Sequence, residues 1–357
     1  MKIVFLLPSL RGGGAEKVFT SLVSKFFKEG HYVELILLQK EGAYLSQVDQ
    51  SIPIHDLKLP HARHALKPIK QCLAKLKPDI VYSTHDRMNV LNILSRKVHN
   101  GKVFVRQISY YSHQLKTYPY LIRYPLHVIF KLLYHKANGV ISQGMEMNHD
   151  IIQRLRLNPQ KTFIVYNPLN LDYTHQPIER FKSFSRDKKH IISVGRLSRE
   201  KGFDLLLHAL RQLDVEKSQY HLHICGEGPE RESLENIIKA YGLKNKITFH
   251  GFVQNVFDFY KQADIFVLAS RREGFPNALI EAMHYGLTCV SSDCMSGPKE
   301  IIEHGVNGYL FRNDDVNDLA EKLLMAIKKP LKQVGTDQRF SIDHIYQEYL
   351  ELFLKDT

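Results

Sequence analysis

Arg196 and Lys201 stand five residues apart in VGRLSREKGFD (194–204), where an apolar run gives way to a helical pattern. Two cations beside a helix start suit a diphosphate. Arginine offers a planar fork, lysine a point charge, and the helix end adds its dipole. Glu273 and Glu281 stand eight apart in REGFPNALIEAM (272–283). Pro276 fits a loop or a helix start, which puts Glu273 before the helix and Glu281 inside it. Carboxylates accept hydrogen bonds from vicinal hydroxyls, so this pair suits a sugar and a ribose. A third loop, RGGGAE (11–16), lets the backbone approach a ligand and turns N–H groups at a helix start toward an anion. Its spacing is not G-x-G-x-x-G, which argues against a plain nicotinamide site. Taken singly, each feature has a plainer explanation: surface ion pairs, an ordinary tight turn, two unrelated glutamates.

The elements that must position these residues alternate regularly. Short apolar runs at 2–7, 31–38, 79–84, 102–108, 139–143 and 162–167 read as strands, with helical stretches between them. A second series at 190–195, 220–226, 247–251, 265–270, 288–293 and 308–311 repeats the plan. Amphipathic helices are expected at 15–28, 203–213, 230–242, 277–286 and 316–329, two of them closing on Gly242 and Gly286. The acidic NDDVND (313–318) reads as a helix start. The pattern predicts an α/β chain of two Rossmann-like domains with parallel sheets. Their limits are 1–172 and 190–337, with a polar linker at 173–189. A final helix (342–354), within a C-terminal segment 338–357, is expected to pack back on the first domain.

Composition narrows the class. The chain has 357 residues, 44% hydrophobic and 24% charged, which suits two globular domains and excludes a disordered or collagen-like chain. The first stretch, MKIVFLLPSL, reads as a buried strand rather than a leader. Four cysteines form no C-x-x-C pair and are expected reduced, in the cytoplasm. The net charge of +12 is uneven: residues 1–180 carry 25 Lys and Arg against 12 Asp and Glu, residues 181–357 carry 24 against 25. An anionic partner is therefore expected for the first half: phospholipid, lipid-linked phosphate or nucleic acid.

In order, VGRLSREKGFD, CGEGPER (225–231), HGFV (250–253), EGFPNALIEAMHYGLTCVSSD (273–293), GPKEII (297–302) and NGYLF (307–311) resemble the retaining glycosyltransferases of family four. RGGGAE, DIVYSTH, GVISQG and YNPL (166–169) fall where the family has comparable elements. The resemblance implies the GT-B fold, two Rossmann-like domains facing across a cleft. By motif matching it places Arg196 and Lys201 on the donor diphosphate and Glu273 by the donor sugar hydroxyls. It puts Gly274, Phe275, Pro276 and Asn277 in the adjoining loop, and Glu281 on the ribose. Phe252 and Val253 fall in the loop that receives the base. Gly13 and Gly14 fall in the first-domain loop closing on diphosphate and acceptor. It implies a nucleotide-diphosphate sugar as donor, UDP-sugar first, with no cofactor. The implied acceptor is a lipid-linked glycan of surface polysaccharide or oligosaccharide synthesis.

No Asp-x-Asp stands at a strand end, so the cations and helix N-termini are expected to stabilise the leaving diphosphate without metal. Where many members carry a His after a first-domain strand, this chain has Ile108 or Ser109, with His85 and His113 as alternatives. His85-Asp86 also resembles a metal phosphohydrolase pair, without companion ligands at suitable spacing. The aromatic and basic stretch 120–136 suits the face of an anionic membrane, while its apolar face alone reads first as a core-packed amphipathic helix, and Pro125 is expected to interrupt its start. Peripheral membrane association follows on the first reading. A sugar-nucleotide epimerase or hydrolase on the same fold is the second functional reading. A basic nucleic-acid-binding protein is the third, and it leaves the Arg–Lys and Glu–Glu sets unexplained.

Overall fold

The computed structural model describes residues 1–11, 13–169, 184–185, 187–215, 219–253, 255–331 and 337–355. Most of the expected linker, residues 173–183 and 186, lies outside the described residues. The chain divides into two compact units, Met1–Pro168 with Gln338–Thr357, and Leu169–Asp337.

The first unit is a parallel sheet of β1 (Lys2–Leu7), β2 (Tyr32–Leu37), β3 (Ile54–Asp56), β4 (Ile80–Thr84), β5 (Lys102–Arg106), β6 (Gly139–Ser142) and β7 (Thr162–Ile164). The strands lie in the order β3-β2-β1-β4-β5-β6-β7. Runs such as KIVFLL and IVYST are buried almost throughout, as strands covered on both faces must be. Helices α1 (Gly14–Lys28), α2 (Leu66–Leu76), α3 (Asp86–Ser95), α4 (Tyr111–Thr117), α5 (Tyr120–Tyr134) and α6 (Met145–Leu155) cover the faces. The sequence reading missed β3, only three residues long. It also ran β5 two residues too far: the Gln107 N–H still donates to Ile141 O at 2.8 Å, and its side chain then holds the turn that follows, donating to Ser109 O at 2.8 Å and Gln114 Oε1 at 3.0 Å. Pro125 does not interrupt α5. The carbonyl it leaves without a helical donor is that of Leu121, an exposed residue open to water.

The second unit repeats the plan with β8 (Lys189–Val194), β9 (Tyr220–Cys225), β10 (Ile247–Gly251), β11 (Ile265–Leu268), β12 (Thr288–Ser292) and β13 (Tyr309–Phe311). Their order is β10-β9-β8-β11-β12-β13, all parallel. Between them run α7 (Phe203–Val215), α8 (Arg231–Ala240), α9 (Phe257–Tyr260), α10 (Asn277–His284), α11 (Pro298–Ile301) and α12 (Val316–Lys328). Asp315 caps α12, its carboxylate accepting from Asp318 N at 2.9 Å.

The chain then returns to the first unit as α13 (Ile342–Leu354). Tyr346 and Phe353 meet Phe26 of α1 with ring centroids 5.0 and 5.7 Å apart. Beneath α13, Arg106 is fully buried. It donates to Tyr82 Oη at 3.2 Å, Val165 O at 3.1 Å, Asn167 Oδ1 at 2.6 Å and Tyr349 Oη. These partners are neutral, and burial pulls the guanidinium pKa down. One side chain thus ties the returning helix to the segment that leaves β7.

Candidate functional site

Ligands of open parallel sheets sit beyond the carboxyl ends of strands where the order reverses. In the second unit that place lies between β8 and β11, whose pairing runs Ile265↔Ile191 and Phe266↔Ile192. After β8 the chain turns through Gly195, Arg196 and a 3-10 turn, Arg199–Lys201. Lys201 Nζ lies 2.7 and 2.9 Å from the two oxygens of Glu273, beyond β11. Ser270 Oγ donates to the same carboxylate at 2.6 Å. Arg196 is exposed, and its guanidinium makes no hydrogen bond or ion pair among the described residues.

The two loops are latched from behind by Arg271. Its guanidinium forks onto Asp204 at 2.8 and 2.7 Å and reaches Asp314 at 2.7 Å. Burial pushes the Asp204 carboxyl up, but the hydrogen bonds and charge of Arg271 outweigh it and hold it below its usual range. Gly226, at the end of β9, has φ +154°, and a Cβ there would lie 1.8 Å from Gly195 O. Only glycine lets these two strand ends close under the cations.

Gly274, Phe275, Pro276 and Asn277 lead from Glu273 into α10. Ser296 Oγ donates to Gly274 O at 2.6 Å and steadies the turn. Glu281 lies inside α10, 7% exposed and hydrogen bonded to the phenol of Tyr260. Phe252 and Val253 follow β10, two strands away from β8 at the same end of the sheet, or about 10 Å. The structure therefore brings Lys201 and Glu273 into contact and sets Arg196, the 274–277 loop and the 252–253 loop along the same rim.

Gly13 and Gly14 belong to the first unit, where the order reverses between β1 and β4. Gly13 caps α1 without a side chain, and a Cβ on it would fall 2.4 Å from Glu16 Oε2. Glu16 Oε1 in turn lies 3.6 Å from His85 Nε2, beyond β4. His85 has φ +68°, an unusual conformation for a residue with a side chain. Burial pulls the His85 imidazole pKa down, and burial pushes the adjoining Asp86 carboxyl up to about 7. His113 is elsewhere, on α4, its ring 5.6 Å from that of Tyr110. Ser109 is occupied in donating to Gln114 at 2.9 Å.

Comparison with known proteins decides the class. Residues 12–173 match the model of Glycosyltransferase Family 4, and residues 175–341 that of Glycosyl transferases group 1. The chain belongs to the family 4 glycosyltransferases. The lipopolysaccharide 1,6-galactosyltransferase of Salmonella typhimurium is 28% identical over 95% of each chain. A Campylobacter jejuni enzyme, N-acetylgalactosamine-N,N'-diacetylbacillosaminyl-diphospho-undecaprenol 4-alpha-N-acetylgalactosaminyltransferase, is 27% identical over 90% of this chain and 89% of its own. Glycosyltransferase MJ1059 of Methanocaldococcus jannaschii is 29% identical over 66% of this chain and 60% of its own. Among solved structures, Anabaena Alr3699/HepE in complex with UDP superposes with a TM-score of 0.81, at 21% identity over 98% of this chain and 99% of that one. The fold is GT-B.

In this glycosyltransferase the second unit's crevice offers cations to an anion and a carboxylate to hydroxyls. Sequence reasoning passed over Ser270, Arg271 and Glu16. The sign for Glu16 was present: it stands three residues after the glycine that caps α1, where a side chain can fold back over the helix end. Nothing local joins it to His85. That pairing exists only because β1 and β4 are neighbours.

Proposed function

We propose that this glycosyltransferase moves a hexose or N-acetylhexosamine from a nucleotide-diphosphate sugar, UDP-sugar first, to a lipid-linked glycan. The transfer retains anomeric configuration and uses no metal. The observation that carries the reading is the Lys201–Glu273 pair at the strand reversal, with Arg196 exposed beside it. Arg196 and Lys201 bind the diphosphate and offset the charge that develops as it leaves. Glu273 and the 274–277 backbone hold the sugar, Glu281 the ribose, Phe252 and Val253 the base. The bond from the anomeric carbon to phosphate oxygen breaks with its electron pair going to the diphosphate. The acceptor oxygen bonds the same face, and its proton passes to the departing phosphate. Gly13 and Gly14 let the first unit's loop approach diphosphate and acceptor.

A lipid-linked acceptor is supported by α5. Tyr120, Leu121, Tyr124 and Leu132 are 81, 87, 76 and 62% exposed on it. From Arg87 to Met145 the chain has no acidic residue. Apolar residues flanked by uncompensated cations suit the cytoplasmic face of an anionic bilayer. Among the described residues no helix is long and apolar enough to cross it. The four thiols are unpaired, which suits a reducing compartment.

Calorimetry with UDP- and GDP-sugars, in the presence of chelator, tests the donor reading. Wild type is expected to bind one nucleotide, and Arg196→Ala, Lys201→Ala and Glu281→Ala each to weaken it. Absence of binding, or binding only with added metal, would overturn it.

A further inference from the structure

Three imidazoles form a row across neighbouring strands of the second unit. His190 is on β8, His223 on β9 and His250 on β10. His190 Nδ1 lies 2.9 Å from His223 Nε2, and His223 Nδ1 lies 3.0 Å from His250 Nε2. At the β8 end His190 Nε2 lies 2.8 Å from the carbonyl oxygen of Ser185. Phe184 stacks over the row, 4.5 Å from the His190 ring and 3.9 Å from that of His223. Phe259 closes the His250 end at 4.5 Å.

The carbonyl sets the polarity of the whole row. It can only accept, so His190 carries its hydrogen on Nε2. The bare Nδ1 of neutral His190 then accepts from His223 Nε2–H. The bare Nδ1 of His223 accepts from His250 Nε2–H. All three rings share one tautomer, and each nitrogen–nitrogen contact holds one proton. A further proton on His190 or His223 would put two protons into one contact. The surroundings keep His223 neutral: burial, then His221, His250, His190 and Lys188 all act in the same direction, bringing it to about 3. Of the charges on the packed elements, Asp264 accepts from His190 N at 2.9 Å and pairs with Lys189, while Asp258 of α9 pairs with Lys261 just beyond it.

The geometry points to a positioning device: the row fixes His250 at the root of the 251–253 loop and so sets that loop for the nucleotide base. His250 is the last residue before Gly251, whose carbonyl accepts from Gly226 N at 2.7 Å. The loop is thereby tied through three rings to residues 184–185, which precede β8. The role rests on the donor reading above, through the assignment of Phe252 and Val253 to the base.

Two replacements in the full chain separate hydrogen bonding from filling. His223→Phe fills the place and still stacks on Phe184, but it neither donates nor accepts. His223→Gln keeps a donor and an acceptor. Loss of the row in His223→Phe is expected to raise the donor KM about tenfold with kcat within about twofold, and His223→Gln to recover most of it. Nitrogen-15 spectra of labelled wild type are expected to show the Nε2–H tautomer for all three rings, with His223 silent between pH 5 and 8. An Nδ1–H tautomer on His190 or His223, or an unchanged KM in folded His223→Phe, overturns the proposal. If wild type binds no nucleotide, the donor reading falls and the row's role falls with it. If wild type binds, Lys201→Ala does not, and His223→Phe binds like wild type, only the row's role falls.

Discussion

Both units reverse strand order beside their first strand, yet they line the two crevices oppositely. In the second unit the loop after the first strand brings a cation, Lys201, to a carboxylate, Glu273, 2.7 Å away. In the first unit the helix after the first strand brings a carboxylate, Glu16, within 3.6 Å of an imidazole, His85. The first half of the chain holds the surplus of Lys and Arg, and Arg11 after β1 is paired with Glu41, but the groups that meet across its reversal are Glu16 and His85, with Asp86 adjoining. Net charge therefore says where a domain is drawn, and the reversal point says what it holds. A carboxylate beside an imidazole accepts from hydroxyls, so on the proposed donor reading the second unit is expected to hold the anion and Glu16 to meet an acceptor hydroxyl.

Charge removal gives the widest break between the two crevices. Lys201→Ala is expected to lower kcat by about 10²- to 10³-fold, the range for losing one group that stabilises leaving charge. Glu16→Gln is expected to leave donor KM unchanged and to raise acceptor KM by about tenfold, one lost charge-assisted hydrogen bond. Steady-state kinetics with each substrate varied in turn checks both. A donor effect from Glu16→Gln would erase the division of labour.

Stability contrasts the units next. Arg106 has no counterpart among the described residues of the second unit, where no arginine is fully buried. Arg106→Ala takes the guanidinium donor from Val165 O and Asn167 Oδ1 in the core, while the Tyr82 and Tyr349 hydroxyls keep each other at 2.6 Å, and is expected to cost about 3–5 kcal/mol in urea unfolding. Arg106→Lys recovers little, because an ammonium cannot serve both sides of the cage.

The pH dependence of stability has opposite signs in the two units. Asp86 has a folded pKa of about 7 against 3.8 when unfolded, so the folded state keeps a proton that the unfolded state drops. Its contribution is lost as pH rises from about 4 to about 7. His223 sits at about 3 against 6.5, so the unfolded state takes up a proton that the folded state refuses. Its contribution is lost as pH falls from about 6.5 toward 3. Each term reaches at most about 4–5 kcal/mol. Urea midpoints from pH 4 to 8 are expected to gain on the alkaline side in Asp86→Asn and to hold on the acid side in His223→Gln. A parallel response of both variants would show that the two sites are not independent.

What could be read from the sequence divides along the same physical line. Strands such as KIVFLL and HIISV are legible because both faces are buried, so the run is apolar throughout. The positions of Arg196, Lys201, Glu273 and Glu281 at strand ends and in α10 follow from local breakers, Gly195 and Pro276. Contacts set by strand order were invisible. Arg106 meets Tyr349 across 243 residues, and His190 meets His223 across 33. Only the order β3-β2-β1-β4 makes Glu16 and His85 neighbours. The 120–136 stretch was divided between core and surface because its residues serve both: Phe130, Leu133 and Tyr134 are buried while Leu121 and Tyr124 are not.

That divided helix allows the finest test of the comparison. The second unit carries no surplus of cations, and its exposed apolar residues do not line one helix as those of α5 do. Leu121→Glu adds a charge to a side chain that already faces water, so thermal stability is expected to stay within about 0.5 kcal/mol. Binding to vesicles containing anionic lipid is expected to weaken by about tenfold, the burial of one leucine at the interface. Donor KM measured in solution should not move, since α5 belongs to the first unit. Sedimentation with neutral and anionic vesicles separates the two forces. Insertion of Leu121 and Tyr124 alone would bind both kinds equally. Lys116, Arg123 and Lys131 make anionic vesicles the better partner, and high salt removes that preference while leaving the apolar part.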